Sequence, residues 1–227
     1  MPGVFVTGTD TGVGKTIVSA GLIVALQRHG LDVMAMKPVA AGCQVRDGGL
    51  RNEDAEQLRA LLSNPVDYST VNPCALEAAA APHLVAAEEG RKIDVEAIAA
   101  AICAQTAQRF TVVEGAGGWR VPLAGPEDMG SLAQRSGLPV LLVVGIRLGC
   151  INHAMLSAEA MRNDGAKFIG WVASDLEPGD PRLDAQVATL DECLPAPRLG
   201  RLPYFKQPSA ELVADCLDVI KIIKMSR

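Results

Sequence analysis

Residues 5–19 read FVTGTDTGVGKTIVS. An apolar stretch runs into glycines, then Lys15 and Thr16, then a helical pattern. A strand ending at Gly8, a glycine-bearing turn and a helix opening near Gly14 make a setting in which loop amides and a helix N-terminus face an anion. In such a cradle Lys15 supplies a mobile charge for β- and γ-phosphates, and the Thr16 hydroxyl a ligand for Mg²⁺. The spacing is unusual. The pattern G-x-x-x-x-G-K-[ST] asks for glycine at position 9, where this chain has Thr9, and Gly8 stands one residue early. The plain alternative is a glycine-rich turn with Lys15 and Thr16 merely solvated, which a G-K-T sequence at a strand–helix junction disfavours.

Outward from this loop, short apolar runs alternate with helical patterns. Strands are expected at VFVTG (4–8), VMAMKP (33–38), FTVVEG (110–115), PVLLVVG (139–145) and FIGWVAS (168–174), with LGRLPYF (199–205) as an edge strand. Most are continuously apolar, as parallel strands covered on both faces are. Helices are expected at 15–29, 52–62, 94–108, 129–136, 152–164, 181–193 and 209–224, while 40–50 and 63–92 read as looser segments. The alternation predicts an α/β fold in one domain, a mainly parallel twisted sheet with helices on both faces.

Bulk properties narrow the function. The 227 residues are 49% hydrophobic and 21% charged, with a formal net charge of −5. That balance gives no basic surface for nucleic acid or an anionic membrane. No apolar run approaches the ~18 residues of a membrane span, and no export signal opens the chain. The six cysteines form no C-x-x-C pair and the three histidines are scattered. A reduced, cytoplasmic protein without a Cys/His metal site is expected.

Three further stretches carry chemistry. FTVVEG presents Glu114 after an apolar run, followed by Gly115-Ala116-Gly117-Gly118; a carboxylate there suits magnesium, and a glycine loop lets backbone approach a ligand. Lys37-Pro38 closes the second strand, and ligands in open α/β sheets sit beyond the carboxyl ends of strands. Lys15, Lys37 and Glu114 should share one rim, although Lys37 alone reads equally as a solvated strand-end lysine. Asp54 opens a helix, where a carboxylate is favoured by the dipole alone. RLGCINHA (147–154) places Gly149 before a helix whose free amides could hold a second anion; a plain loop with Asn152 as a cap is the simpler reading.

Taken together, TGTDTGVGKT (7–16), KPVAAG (37–42), LRNEDA (50–55), TVNP (70–73), APH (81–83), VEGAGGW (113–119), LPVLLVVG (138–145) and LGCINHAMLSAE (148–159) resemble the dethiobiotin synthetases. These belong to the phosphate-loop (P-loop) NTPase superfamily, and the matches keep the family's order over most of the chain. The resemblance implies an ATP- and Mg²⁺-dependent ligase that joins 7,8-diaminopelargonate and CO₂ into dethiobiotin during biotin synthesis. It implies Lys37 and Lys15 as catalytic groups, with Thr16, Asp54 and Glu114 as metal ligands. Gly12, Val13, Gly14, Lys15, Thr16 and Ile17 would form the phosphate cradle, with Gly115, Ala116 and Gly117 beside it. Thr11, Ala41, Gly117 and Gly118 would lie near the diamine. Gly149, Cys150, Ile151 and Asn152 of one subunit would hold the substrate carboxylate in the other subunit of a homodimer. Ser174, Asp175, Pro203, Tyr204, Phe205 and Glu211 would form the base and ribose pocket. Four positions depart from the family pattern: Val13 stands where an acid can occur, Gln186 stands where a Tyr can help hold the carboxylate, and Ala41 and Ser174 are the other two. Ala41 stands where a Ser often touches substrate, a loss of about 0.5–1.5 kcal/mol. Ser174 stands where an Asn commonly reads adenine, and a hydroxyl cannot present the paired donor and acceptor of an amide.

Other readings are less well supported. A superfamily ligase with a glutaminase domain would need more than 227 residues. A ParA- or MinD-like ATPase switch would carry an extra lysine within TGTDTG, and a GTPase would carry N-K-x-D; neither sequence is present.

Overall fold

The computed structural model of the chain describes residues 2–46 and 48–226. In chain order the elements are β1 (Gly3–Gly8), α1 (Lys15–Arg28), β2 (Val33–Met36), β3 (Val39–Ala40), β4 (Gln44–Arg46), β5 (Gly49–Arg51), α2 (Glu53–Ala60), α3 (Tyr68–Val71), β6 (Cys74–Ala75), α4 (Pro82–Glu88) and α5 (Val95–Thr106). There follow β7 (Phe110–Gly118), β8 (Pro122–Ala124), β9 (Glu127–Asp128), α6 (Met129–Ser136), β10 (Val140–Ile146), α7 (Cys150–Asn163), β11 (Phe168–Asp175), α8 (Leu183–Cys193), β12 (Arg198–Leu202), α9 (Ala210–Ala214) and α10 (Val219–Met225).

Six strands form one sheet in the order β12-β11-β10-β1-β7-β2, and every pairing within it is parallel. The six strands expected from the sequence are these six. Alternate residues along each strand enter opposite cores, as the pleat requires. On β1, Val4 and Val6 pack toward α1, α9 and α10, while Phe5 packs toward α5, α6 and α7. On β10, Leu141 and Val143 join the first group, and Leu142 and Val144 the second. The sheet is thus covered by helices on both faces, which explains the continuously apolar strands. Among the described residues, no helix is long and apolar enough to cross a membrane.

Several boundaries differ from the sequence expectation. The glycines after Glu114 are not a flexible loop. They continue β7 to Gly118, which pairs with Gly8 after a register shift. Lys37 and Pro38 lie beyond β2, and Pro203 likewise ends β12 at Leu202. The helix expected at 209–224 is two helices, because Asp218 caps a fresh start by accepting from the Lys221 amide. The helix expected from residue 152 begins at Cys150, with Gly149 as its N-cap in the left-handed region, so Asn152 is not a cap. The segments expected to be loose hold α3, α4, the parallel pair β3–β6 and the exposed hairpin β4–β5. Asp47, within the looser 40–50 segment, lies outside the described residues.

Candidate active site

A parallel sheet brings the carboxyl ends of its strands to one edge, and loops there meet. β1 delivers the loop from Gly8 to Gly14. Gly12 and Gly14 have φ of 74° and 94°, in the region that glycine alone adopts readily. Gly14 is fixed for a second reason: a Cβ there would stand 2.8 Å from Ser174 Oγ at the end of β11. Val13 is buried, wedged against Gly8 and Gly145, so it offers the site only its backbone.

The early position of Gly8 has a local cause. A Cβ on Gly8 would meet Val13 Cγ2 at 2.8 Å and Lys15 Cδ at 3.1 Å, because the loop folds back over that residue. Asp10 ties the loop together. Its carbonyl accepts from Lys15 Nζ at 2.8 Å. Its carboxylate accepts from the Thr11 amide at 2.7 Å and from Arg147 Nη2 at 2.6 Å.

Glu114 is the centre of the cluster. It is fully buried, and its Oε1 accepts from Thr16 Oγ1 at 2.8 Å and from Lys37 Nζ at 2.6 Å. The Lys37 ammonium also pairs with Asp54 Oδ2 at 3.1 Å. Neither Lys37 nor Glu114 is a solvated surface group. Lys37 sits between two carboxylates, one buried and one half-exposed.

The two lysines titrate differently. Burial lowers the Lys15 pKa to about 8; Glu114 opposes this and Lys37 reinforces it. Burial also depresses Lys37, but the charges of Glu114 and Asp54 outweigh it and hold Lys37 above the usual lysine value. Lys37 is therefore a fixed cation, and Lys15 changes charge in the mildly alkaline range.

A triphosphate placed against Lys15 would raise its pKa again, since an opposite charge favours the ammonium. Below pH 8 the free lysine is already charged and affinity is flat. Above pH 8 binding must take up a proton. The affinity for ATP without divalent cation should therefore weaken about tenfold between pH 7.5 and 9, with measurable proton uptake in calorimetry. A flat affinity across that range would show that Lys15 does not meet the phosphates.

The other expected site residues fall into three groups. Near the loop, a Cβ on Gly117 would approach Thr11 Oγ1 to 3.5 Å, and one on Gly118 would approach the Gly8 carbonyl to 3.3 Å. Gly115 packs closely on Phe5 and Met129, Ala116 is partly buried, and Ile17 packs into the core on the α1 side. The Ala41 carbonyl accepts from Asn52 Nδ2 at 3.3 Å. At α7, Cys150 is buried with its thiol donating to Gln186 Oε1 at 3.2 Å, Ile151 is partly buried and Asn152 is exposed. Of the expected base pocket, Ser174 lies against Gly14 of the loop. Asp175 is held by Arg201, with Nη2 at 3.0 Å from Oδ2. Tyr204 is half-exposed, and Phe205 packs against the core on the α1 side. The Glu211 carboxyl is held below its usual range by its own backbone N–H and by Ser209.

Sequence reasoning missed Arg147, Tyr68 and Asn72. Asn52 could have been found, because an Asn directly before the acidic first turn of a helix is an N-cap signature. Its side chain does accept from the Ala55 amide at 3.2 Å.

The oxygen donors Thr16, Asp54 and Glu114 fit a hard cation such as Mg²⁺, which takes few protein carboxylates and completes its shell with phosphates and water. Glu114 Oε2 is buried with no hydrogen-bond partner, an acceptor left open in the site. Among the described residues, no cluster of three or more His, Cys, Asp or Glu could hold a metal by itself.

Comparison with known proteins shows the family. Residues 2–211 match the family described as AAA domain. The ATP-dependent dethiobiotin synthetase BioD of Cellvibrio japonicus is 49% identical over 221 residues, covering 96% of this chain and 96% of that protein. The enzyme of the same name from Pseudomonas paraeruginosa is 51% identical over 221 residues, covering 96% and 97%. Among solved structures, the MinD cell division protein of Aquifex aeolicus superposes with a TM-score of 0.61 at 17% identity, covering 99% of this chain and 97% of that one. A ParA family ATPase from Chlorobium tepidum gives 0.56 at 13%, covering 97% and 92%. At those identities the likeness is one of fold alone. Half of the residues are shared with the synthetases over nearly the whole length, so the chain belongs to the ATP-dependent dethiobiotin synthetase family.

Proposed function

We propose that residues 2–226 act as one catalytic domain that closes the ureido ring of dethiobiotin. One amine of 7,8-diaminopelargonate attacks CO₂ and loses a proton, giving a carbamate. A carbamate oxygen attacks the γ-phosphorus of ATP and ADP leaves. The second amine attacks the carbamoyl carbon and loses a proton, and phosphate departs with the carbamate oxygen. The observation that carries this reading is the Lys37 ammonium, held at 2.6 Å from Glu114 and 3.1 Å from Asp54 beside the phosphate loop. A site that joins two anions needs fixed positive charge between them, and in phosphoryl transfer positioning and electrostatics do most of the work. Lys37 would lie between carbamate and γ-phosphate. Lys15 would leave the Asp10 carbonyl for the triphosphate. Thr16, Asp54 and Glu114 would hold Mg²⁺, which when bound offsets the phosphate charge.

The remaining roles follow the same reading. Thr11 faces Gly117 beside the loop, a place suited to the diamine. A homodimer is proposed, with Gly149–Asn152 of each subunit holding the substrate carboxylate in the other's site. It is supported by Leu148, which is 98% exposed, and by exposed Met155 and Leu156 on α7. Light scattering that shows an active monomer at assay concentration would exclude it. Six free thiols suit a reducing cytoplasm. Ser174 predicts a modest preference for ATP, and competition showing ATP favoured by more than about tenfold over other nucleoside triphosphates would count against that. Mass spectrometry of a mixture of diaminopelargonate, bicarbonate, Mg²⁺ and ATP tests the function. Dethiobiotin is expected; ADP without dethiobiotin would refute it.

A further inference from the structure

Lys37 lies just past the end of β2, outside regular structure. Buried polar side chains that the chemistry above does not use fix its position. The Lys37 amide donates to the Val71 carbonyl at 2.8 Å. Asn72 Nδ2 donates to the Lys37 carbonyl at 2.7 Å. Asn72 Oδ1 accepts from the Tyr68 hydroxyl at 2.8 Å, and that hydroxyl oxygen accepts the Asn52 amide at 2.7 Å. Asn52 caps α2, and two residues later Asp54 returns to the Lys37 ammonium. The circuit is closed. It runs from the Lys37 backbone through Asn72, Tyr68 and Asn52 to Asp54, and back to the Lys37 side chain.

We propose that Tyr68 and Asn72 are positioning residues for phosphoryl transfer, setting Lys37 and Asp54 relative to Glu114. The inference rests on the ligase reading above. Asn72, Tyr68 and Asn52 are only 3%, 8% and 7% exposed. A buried polar network in which members satisfy one another has one low-energy arrangement, and removing a member leaves unpaired groups that shift to find partners. Misplacement of a catalytic group by about 1 Å can cost 10²-fold in rate. The hydrogen bonds of Tyr68 go to Asn52 and Asn72, and its ring lies against Arg51. Its effect must pass through the backbone of Lys37 and the cap of α2.

Tyr68→Phe tests this with little change of shape, because the ring stays beneath the Arg51 guanidinium, 4.3 Å from its centroid. The kcat for dethiobiotin should fall about tenfold or more, while the Kd for ATP stays within about twofold, since the phosphate cradle is untouched. Asn72→Ala should act likewise. The double variant should lose no more than the worse single one, because both break the same relay. A folded Tyr68→Phe enzyme with kcat within twofold of wild type would overturn the assignment. So would an equal loss of ATP affinity, or failure of both variants to fold, since each marks a purely structural role. Wild-type enzyme assayed alongside separates the two claims. If wild type makes no dethiobiotin, the functional reading fails and takes this assignment with it. An active wild type with unaffected variants overturns the positioning role alone.

Discussion

Lys37→Met is expected to lower the rate of dethiobiotin formation by about 10³-fold or more, at 25 °C and with the protein still folded. Removing one preorganised electrostatic donor from an active site costs about 10²–10³ in kcat. Lys37 stands above that average because its charge is fixed, held by Glu114 and Asp54 and kept above the usual lysine range. The methionine keeps an unbranched stem in the same space, so lost packing contributes little. Stability also falls, because Glu114 is fully buried and loses its counter-charge. Breaking one side of a buried pair costs about 3–5 kcal/mol, within the 5–15 kcal/mol of a typical native state. The melting temperature should drop by roughly 6–20 °C and leave the fold populated at 25 °C. Lys37→Arg should not rescue, since a planar guanidinium cannot take the place of a compact ammonium between two carboxylates. A near-wild-type rate in Lys37→Met would remove Lys37 from the mechanism.

Glu114→Ala is expected to be as severe, for a different reason. Its carboxylate anchors both the Thr16 hydroxyl and the Lys37 ammonium. Without it, Lys15 and Lys37 are like charges in a buried site, with half-exposed Asp54 as the remaining direct partner of Lys37. Burial then goes unopposed by the strongest of the charges that now raise the Lys37 pKa, so the ammonium is lost at lower pH. The fold should lose about 3–5 kcal/mol and the rate about 10³-fold. Glu114→Gln keeps an acceptor for Thr16 and should recover part of the stability but little of the rate. Thermal melts and initial rates on both variants decide it. Activity in Glu114→Ala above about a tenth of wild type would show that the carboxylate is not central.

How far the sequence reached depends on the range of the forces involved. The six strands of the sheet were legible because burial on both faces leaves a continuous apolar run, as VLLVVGI shows in β10. The hairpin β4–β5 was not, because Gln44–Arg46 is three residues long and exposed throughout, too short to show a period. α3 is four residues long, too short for a helical period. α4 did carry a signal, with Pro82 in its first turn, and its neighbouring glycine and prolines masked it. Within the site, Lys15 and Thr16 came from local motif chemistry and Glu114 from its place after an apolar run. The expectation that Glu114 ends a strand failed because β7 continues through Gly115–Gly118, where Ala116 alone carries a side chain and Gly118 pairs with Gly8 of β1 after a register shift. Asp54 was drawn into the site only by family resemblance, since a helix-opening carboxylate has a sufficient local reason. Arg147 and Tyr68 act on residues 137 and 16 positions away, contacts that no local pattern encodes.

Within TGTDTGVGKT, Asp10 binds Lys15 through its carbonyl and Arg147 through its carboxylate. In the proposed reaction the ATP phosphates would draw Lys15 from that carbonyl, and the carbamate would be held beside the same loop. The decisive step is attack of a carbamate oxygen on the γ-phosphorus. Supplying bicarbonate fully labelled with ¹⁸O and analysing the released phosphate by mass, before the label exchanges with solvent, tests it directly. One ¹⁸O per phosphate is the predicted result, with the other carbamate oxygen retained in the ureido carbonyl of dethiobiotin. Dethiobiotin formed alongside unlabelled phosphate would contradict attack by the carbamate.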